Sequence, residues 1–191
     1  MALRRRASRP QLKRDPLGGR SAVCARKQLT RQMPTIAYRE ADLADVSALA
    51  RIRAAEWGTE QYWQDRISGY MRGEVHPQQA LLPRIVLVAA EEMVLVGFIA
   101  GHLTRRFDCD GELEWLDVIS ERRRRGIAGE LLGALVTWFD SRQARRICVD
   151  VDPQNGFARA FYRKHGATDL NPHWLVWRDI TAVARRGAGR E

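Results

Sequence analysis

The sequence predicts an α/β protein built on one mixed sheet. Apolar runs of strand character follow one another in mid-chain, as in a meander, and strands then alternate with helices towards the C-terminus, giving the order β-α-α-β-β-β-α-β-α-β. The composition agrees: 191 residues, 45% hydrophobic and 29% charged, is the balance of a globular domain and excludes wholesale disorder or a collagen-like repeat. No uninterrupted apolar run approaches the ~18 residues of a membrane span, so a soluble protein without a membrane partner is expected, and three cysteines, odd in number and without CxxC spacing, favour a reducing, cytoplasmic compartment.

Taken in order, Thr35–Arg39 reads as a short strand. Asp42, with Asp45 three residues on, marks a helix start, and Leu43, Val46, Leu49 and Ala50 recur at helical spacing. A second helix is predicted from about Glu60 to Met71, stopping at Gly73. Ile85–Ala90 and Val94–Leu103 form a hairpin whose turn, Glu91-Glu92-Met93, lacks the usual Gly or Asn. Glu112–Val118 alternates charged and apolar residues, as a strand with one wet face does. Ile127, Leu131, Leu135, Trp138 and Phe139 make one buried stripe of a long helix. Ile147–Val151 is a strand, Ala158 to His165 a short helix closed by Gly166, and Trp174–Ile180 a last strand.

The net charge of +9 is unevenly placed. Residues 1–33 hold ten Lys and Arg against Asp15 alone, whereas residues 34–191 sum to zero. Residues 1–33 also lack apolar periodicity, so they are expected to be a disordered, Arg-rich extension. Three readings of it stand: a basic arm for an anionic partner, a transit peptide, which its poverty in Ser and amphipathicity opposes, or a segment preceding a true start at Met33. Residues 34–181 then form the domain and 182–191 a flexible tail. With a neutral body, a nucleic-acid partner is not expected. Three cysteines without CxxC spacing argue against a disulfide framework and a zinc site, and His102, His165 and His173 show no metal spacing, so no metal is expected.

The strand–loop–helix passage from Leu113 through Gly126 is the most informative. A helix start leaves backbone N–H groups unpaired at the positive end of its dipole, and Gly126, Ala128 and Gly129 leave room for an anion beside four consecutive arginines. A pyrophosphate is the natural ligand. The alternative is a helix start with a solvated Arg cluster. No GxxxxGK[ST] or GxGxxG is present.

The stretch Arg123-Arg124-Arg125-Gly126-Ile127-Ala128 resembles the acetyl-CoA-binding pattern [QR]-x-x-G-x-[GA] of the GNAT N-acetyltransferase superfamily, with Val118 before it and Leu131-Leu132 after it at the family's spacing. Asn155-x-x-Ala158-x-x-Phe161-Tyr162-x-x-x-Gly166-Ala167 resembles the family's second cofactor element. The resemblance spans about Ile36 to Ile180, with two departures: Ser120 where many members carry Pro, and Arg124 where Gly is common.

The resemblance implies a three-layer α-β-α fold with a mostly antiparallel central sheet, and direct transfer of acetyl from acetyl-CoA to a primary amine of a small molecule or peptide. It implies that amides from Arg123 to Gly129, those of Arg124, Arg125, Gly126, Ile127 and Ala128 included, cradle the pyrophosphate. Asp117, Val118 and Ile119 would pair with the pantetheine arm, an amide near Val118 would receive the oxyanion, Asn155 would touch the cofactor, and Tyr162 would protonate the thiolate. Tyr162 also reads as a core aromatic and Asn155 as a helix N-cap. For the base, Glu112 and Glu114 share a strand face and Glu114 lies nearer the cofactor end; a solvated strand face is the alternative. The acceptor site is expected near Trp57, Tyr62, Trp63, His173 and Trp174, with Glu56, Glu60 and Asp65 favouring a cationic amine; a homodimer is compatible with the sequence. A non-catalytic acyl-CoA-binding module is the competing function.

Overall fold

The computed structural model describes residues 35–183. The expected extension, residues 1–33, and the chain from residue 184 lie outside them. Seven strands, β1 (Ile36–Glu40), β2 (Ala80–Glu91), β3 (Val94–Thr104), β4 (Gly111–Val118), β5 (Ile147–Asp150), β6 (Thr168–Asp169) and β7 (Trp174–Trp177), form one sheet in the order β1-β2-β3-β4-β5-β7-β6. Every neighbouring pair is antiparallel except β4 with β5.

Helices α1 (Val46–Ala54) and α2 (Glu60–Arg72) cover one face through Leu49, Ile52, Trp63, Ile67 and Tyr70, which pack on Val86, Val88, Phe98 and Trp115. Helices α3 (Ile127–Asp140) and α4 (Gly156–Lys164) cover the other face. The predicted stripe Ile127, Leu131, Leu135, Trp138 and Phe139 is buried throughout. Phe139 lies so close to β4 that a Cβ on Gly111 would sit 2.3 Å from its ring. Only glycine admits that approach.

Local chemistry sets the element ends. Asp42 accepts from the Ala44 N–H at 2.8 Å and Asp45 from the Asp42 N–H at 2.9 Å, a reciprocal cap on the 3₁₀ turn that leads into α1. Arg39 grips Asp45 at 2.6 and 2.8 Å and holds its carboxyl below the usual range. Thr59 caps α2, and Gly73 ends it in the left-handed region, φ 76°.

The β2–β3 turn falls where expected, and three boundaries differ from the sequence expectation. Strand β2 begins at Ala80 rather than Ile85, because its register shifts across Leu82-Pro83, where proline lacks the ladder donor. The β2–β3 turn places Glu92 at φ 57°, an angle that glycine or asparagine adopts more readily, so the turn forms at a local backbone cost. Strand β6 is two residues long and carries no periodic signal. The last strand stops at Trp177, and Ile180 and Val183 pack into the core.

Two features of β4 shape the molecule. It pairs with β5 only through Gly111, Glu112 and Leu113, so from Glu114 to Val118 its outer edge has no strand partner among the described residues. It is also bulged: Ala100 pairs with Trp115 and Gly101 with Leu113, leaving Glu114 as the extra residue. The bulge reverses side-chain parity. Leu113 points to the α3 core and Trp115 to the α1–α2 core, although they lie two apart.

Candidate active site

The loop after β4 leaves its amides open. Arg124 (φ 64°) and Gly126 (φ 84°) are left-handed, and Gly126 caps α3 with no side chain. The Gly129 and Glu130 N–H groups both close on the Gly126 carbonyl, at 2.8 and 3.1 Å, and the Arg123 N–H on the Ser120 carbonyl at 3.3 Å. The amides of Arg124, Arg125, Gly126, Ile127 and Ala128 have no hydrogen-bonding partner among the described residues. Five consecutive donors at the positive end of a 14-residue helix are a site for a multivalent anion. The departure at Arg124 is explained locally: its backbone angle is one that glycine adopts without strain.

The four arginines divide into two pairs. Arg122 binds Glu91 at 2.6 and 2.7 Å. Arg123 donates from Nε to the Val118 carbonyl at 2.9 Å and from Nη2 to Glu56 on the α1–α2 connection. Both are therefore tethers of the loop, and Glu56 is occupied by the loop. Arg124 and Arg125 are exposed, with no side-chain partner among the described residues. The charge expected from the whole run is thus offered by these two.

At the open edge of β4, Asp117 turns its side chain towards α1, where Arg53 Nη1 donates at 3.0 and 3.2 Å while its guanidinium stacks on Trp63 at 4.4 Å. Burial pushes the Asp117 carboxyl up, and Arg53 opposes that. The Ile119 N–H bonds to the Val96 carbonyl at 3.0 Å, anchoring the strand end. Tyr162 on α4 is 6% exposed, its ring edge-on to Phe161 and Trp177 at 5.3 and 5.6 Å. The core reading of the ring therefore holds. Burial pushes its hydroxyl well up, reinforced by Asp117 and opposed by Arg53, so it keeps its proton at neutral pH. Asn155 accepts from the Ala158 N–H at 3.0 Å, which is the N-cap reading.

Glu112 and Glu114 are not on a solvated face. Glu112 is 4% exposed and receives Arg106 Nε at 3.1 Å; the Glu114 side chain is 9% exposed, with Arg66 at 3.6 Å. Burial raises the Glu114 carboxyl, with Glu112 adding to the rise and His102, Arg66 and Arg53 opposing it. His102, wholly buried on β3, faces both: its ring nitrogen and the two carboxylate oxygens lie within 4.8 Å of one another. Sequence reasoning left His102 aside, yet hairpin register pairs it with Glu112, and a histidine in an apolar strand opposite a glutamate was a usable signal.

On the α1–α2 side, Trp57 and Tyr62 are exposed and Trp63 is buried, the three rings in mutual contact at 4.7 to 5.6 Å. Trp174 meets Phe107 at 5.2 Å and the Arg106 guanidinium at 4.7 Å. Cys148 is fully buried mid-strand, where it packs as a small hydrophobe.

A sheet opened beside the parallel β4–β5 pair, with a bare helix start following the opened strand, offers an extended ligand a strand edge and its anionic part a row of amides. Residues 48–167 match the model of the acetyltransferase (GNAT) family, more than half of the chain, and the protein belongs to that family. Among curated proteins, none matches the chain in sequence. Solved structures share the fold. The PaiA N-acetyltransferase of Thermoplasma acidophilum, in complex with coenzyme A, superposes with a TM-score of 0.57 at 20% identity over 76% of this chain and 99% of its own. Ard1 of Thermoplasma volcanium gives 0.60 at 20% over 76% and 97%. The ribosomal-protein-alanine N-acetyltransferase of Brucella melitensis gives 0.56 at 21% over 73% and 94%. No helix among the described residues is long and apolar enough to cross a membrane.

Proposed function

We propose that the protein transfers acetyl from acetyl-CoA directly to a primary amine of a small molecule or peptide. The observation that carries this reading is the row of five unpartnered amides, Arg124 to Ala128, beside the unpaired edge of β4. The amides receive the pyrophosphate, with Arg124 and Arg125 compensating its remaining charge. The pantetheine arm lies along Asp117, Val118 and Ile119 in place of the missing strand. Asn155, besides capping α4, borders the cofactor.

The buried Glu114 takes a proton from the ammonium form of the acceptor, and the free amine attacks the thioester carbonyl. The Val118 amide receives the oxyanion, a contribution of ~3–4 kcal/mol for a preorganised donor. The intermediate collapses, the carbon–sulfur bond breaks, Tyr162 protonates the departing thiolate, and the proton shed by the acylated nitrogen passes through solvent to restore the Tyr162 hydroxyl. Exposed Trp57 and Tyr62 border the acceptor's entry. The likeness to N-acetyltransferases acting on ribosomal-protein alanine supports an amine acceptor, including a peptide one.

The test is calorimetry with coenzyme A together with thiol release from acetyl-CoA across a panel of amines. Binding of coenzyme A and amine-dependent thiol release are expected. Binding without release by any amine would favour the acyl-CoA-binding module, and no binding at millimolar coenzyme A would reject the site.

A further inference from the structure

Tyr70, His102, Glu112 and Glu114 form a polar chain inside the apolar layer between α2 and the sheet. The Tyr70 hydroxyl lies 3.2 Å from His102 Nδ1, its only hydrogen-bonding partner among the described residues. Burial raises the phenol well above its usual range, so it holds a proton to donate. A ring that accepts at Nδ1 carries its own proton on Nε2. That nitrogen is buried and unpartnered, and it faces Glu112 Oε2 at 3.7 Å, beyond direct hydrogen-bond length.

We propose that His102 is a positioning residue for the base: fixed by Tyr70 with its Nε2–H towards Glu112, and with a ring nitrogen within 4.8 Å of both carboxylates, it stabilises the ionised form of Glu114. The proposal rests on Glu114 accepting the acceptor's proton. It explains why a histidine occupies the centre of an apolar strand, where a buried polar nitrogen without a partner costs stability.

The other charged and titratable groups around Glu114 are Arg66 and Tyr70 on α2, Arg53 on α1, Arg84 on β2, stacked over the Tyr70 ring at 4.9 Å, and Glu112 on its own strand. Arg106 holds Glu112, Cys148 faces it across the β4–β5 register, and Asp150 lies further along β5. The same three donors could be read as a metal site. However, Arg106 Nε sits 3.1 Å from the very Glu112 oxygen that faces His102, and Arg66 lies 3.6 Å from Glu114. A divalent cation there would meet two permanent positive charges.

The experiment is the pH dependence of kcat/KM for the full chain and for His102→Phe, His102→Gln, Tyr70→Phe and Glu114→Gln. Circular dichroism and the affinity for coenzyme A establish that each variant is folded. Loss of the Nε2–H leaves Glu114 protonated to higher pH. The acid limb of His102→Phe is therefore expected to move alkaline, with a loss of roughly tenfold at pH 7, part of the ~10²–10⁴-fold that a general base contributes. The amide of His102→Gln keeps a donor and should restore part of the wild-type profile. Tyr70→Phe, which frees the ring to take the other tautomer, should move the limb in the same direction by less, and it carries the test if His102→Phe does not fold. An acid limb unmoved in the folded variants would overturn the proposal, as would a stoichiometric divalent metal in the wild-type protein that His102→Phe loses. Failure of the underlying reading looks different: Glu114→Gln would then keep the wild-type profile.

Discussion

Glu114 sits where its surroundings oppose its charge, and that fixes the expected pH behaviour. Burial raises the carboxyl, so below the raised value it is protonated and cannot act as base. The acid limb of kcat/KM should therefore lie above the ordinary carboxylate range near ~4.3, and Glu114→Gln should remove it with a ~10²–10⁴-fold loss of turnover. Tyr162 shifts upward as well, but the proposed acid acts in its protonated form, so its titration lies beyond neutral pH and should leave no limb there. Tyr162→Phe should lower kcat by about 10²-fold or more while leaving the affinity for acetyl-CoA within about twofold, measured by calorimetry. A phenylalanine keeps the edge-on contacts with Phe161 and Trp177, so full activity in that variant would leave the tyrosine as packing alone. At this scale the residue types were legible and their environments were not. The sequence places two glutamates on one strand face, yet only the fold shows that Arg106 claims Glu112 and that Glu114 stands at a bulge beside the opened edge.

The loop and the first turn of α3 act as one element whose parts do different work. Gly126 has nothing within 4 Å of a would-be Cβ, so the demand for glycine that the protein itself makes comes from its φ of 84°. Gly126→Asp adds a carboxylate to the anion site and should abolish coenzyme A binding. Arg124 occupies a left-handed angle at a cost of about 1–2 kcal/mol. Arg124→Gly should therefore raise the melting temperature, by less than the relief of strain because glycine also gains freedom in the unfolded chain, while weakening coenzyme A binding and flattening its salt dependence. Arg122→Ala should do the reverse, a small loss of stability from the broken Glu91 pair with little change in affinity. The arginine run looked uniform in sequence because partners for Arg122 and Arg123 come from β2 and the α1–α2 connection, distant in the chain. Strand β6 and the early start of β2 escaped for a related reason: two residues have no period, and a proline masks a strand that continues on its far side.

At the scale of the molecule, the sheet serves as a partition whose two faces are packed by different helices, and the bulge in β4 lets one strand supply both. Leu113 goes to the α3 core, Trp115 to the α1–α2 core, and the edge beyond them is left without a strand partner among the described residues. The order of strands and helices was readable from periodicity, whereas the opening was not, since it depends on how far β5 runs beside β4. A ligand that spans this opening touches β4, the α3 start and α4 together, so its binding energy adds to the stability of the whole domain. At a concentration of coenzyme A about 100 times Kd the gain is ~2.7 kcal/mol. For a domain of this size that corresponds to roughly 5–10 °C in Tm. Thermal melting should show this shift for the wild-type chain and for Tyr162→Phe, which keeps the cradle, and no shift for Gly126→Asp. A shift that survives in Gly126→Asp would place the cofactor elsewhere, and the unpaired edge of β4 would then need another occupant.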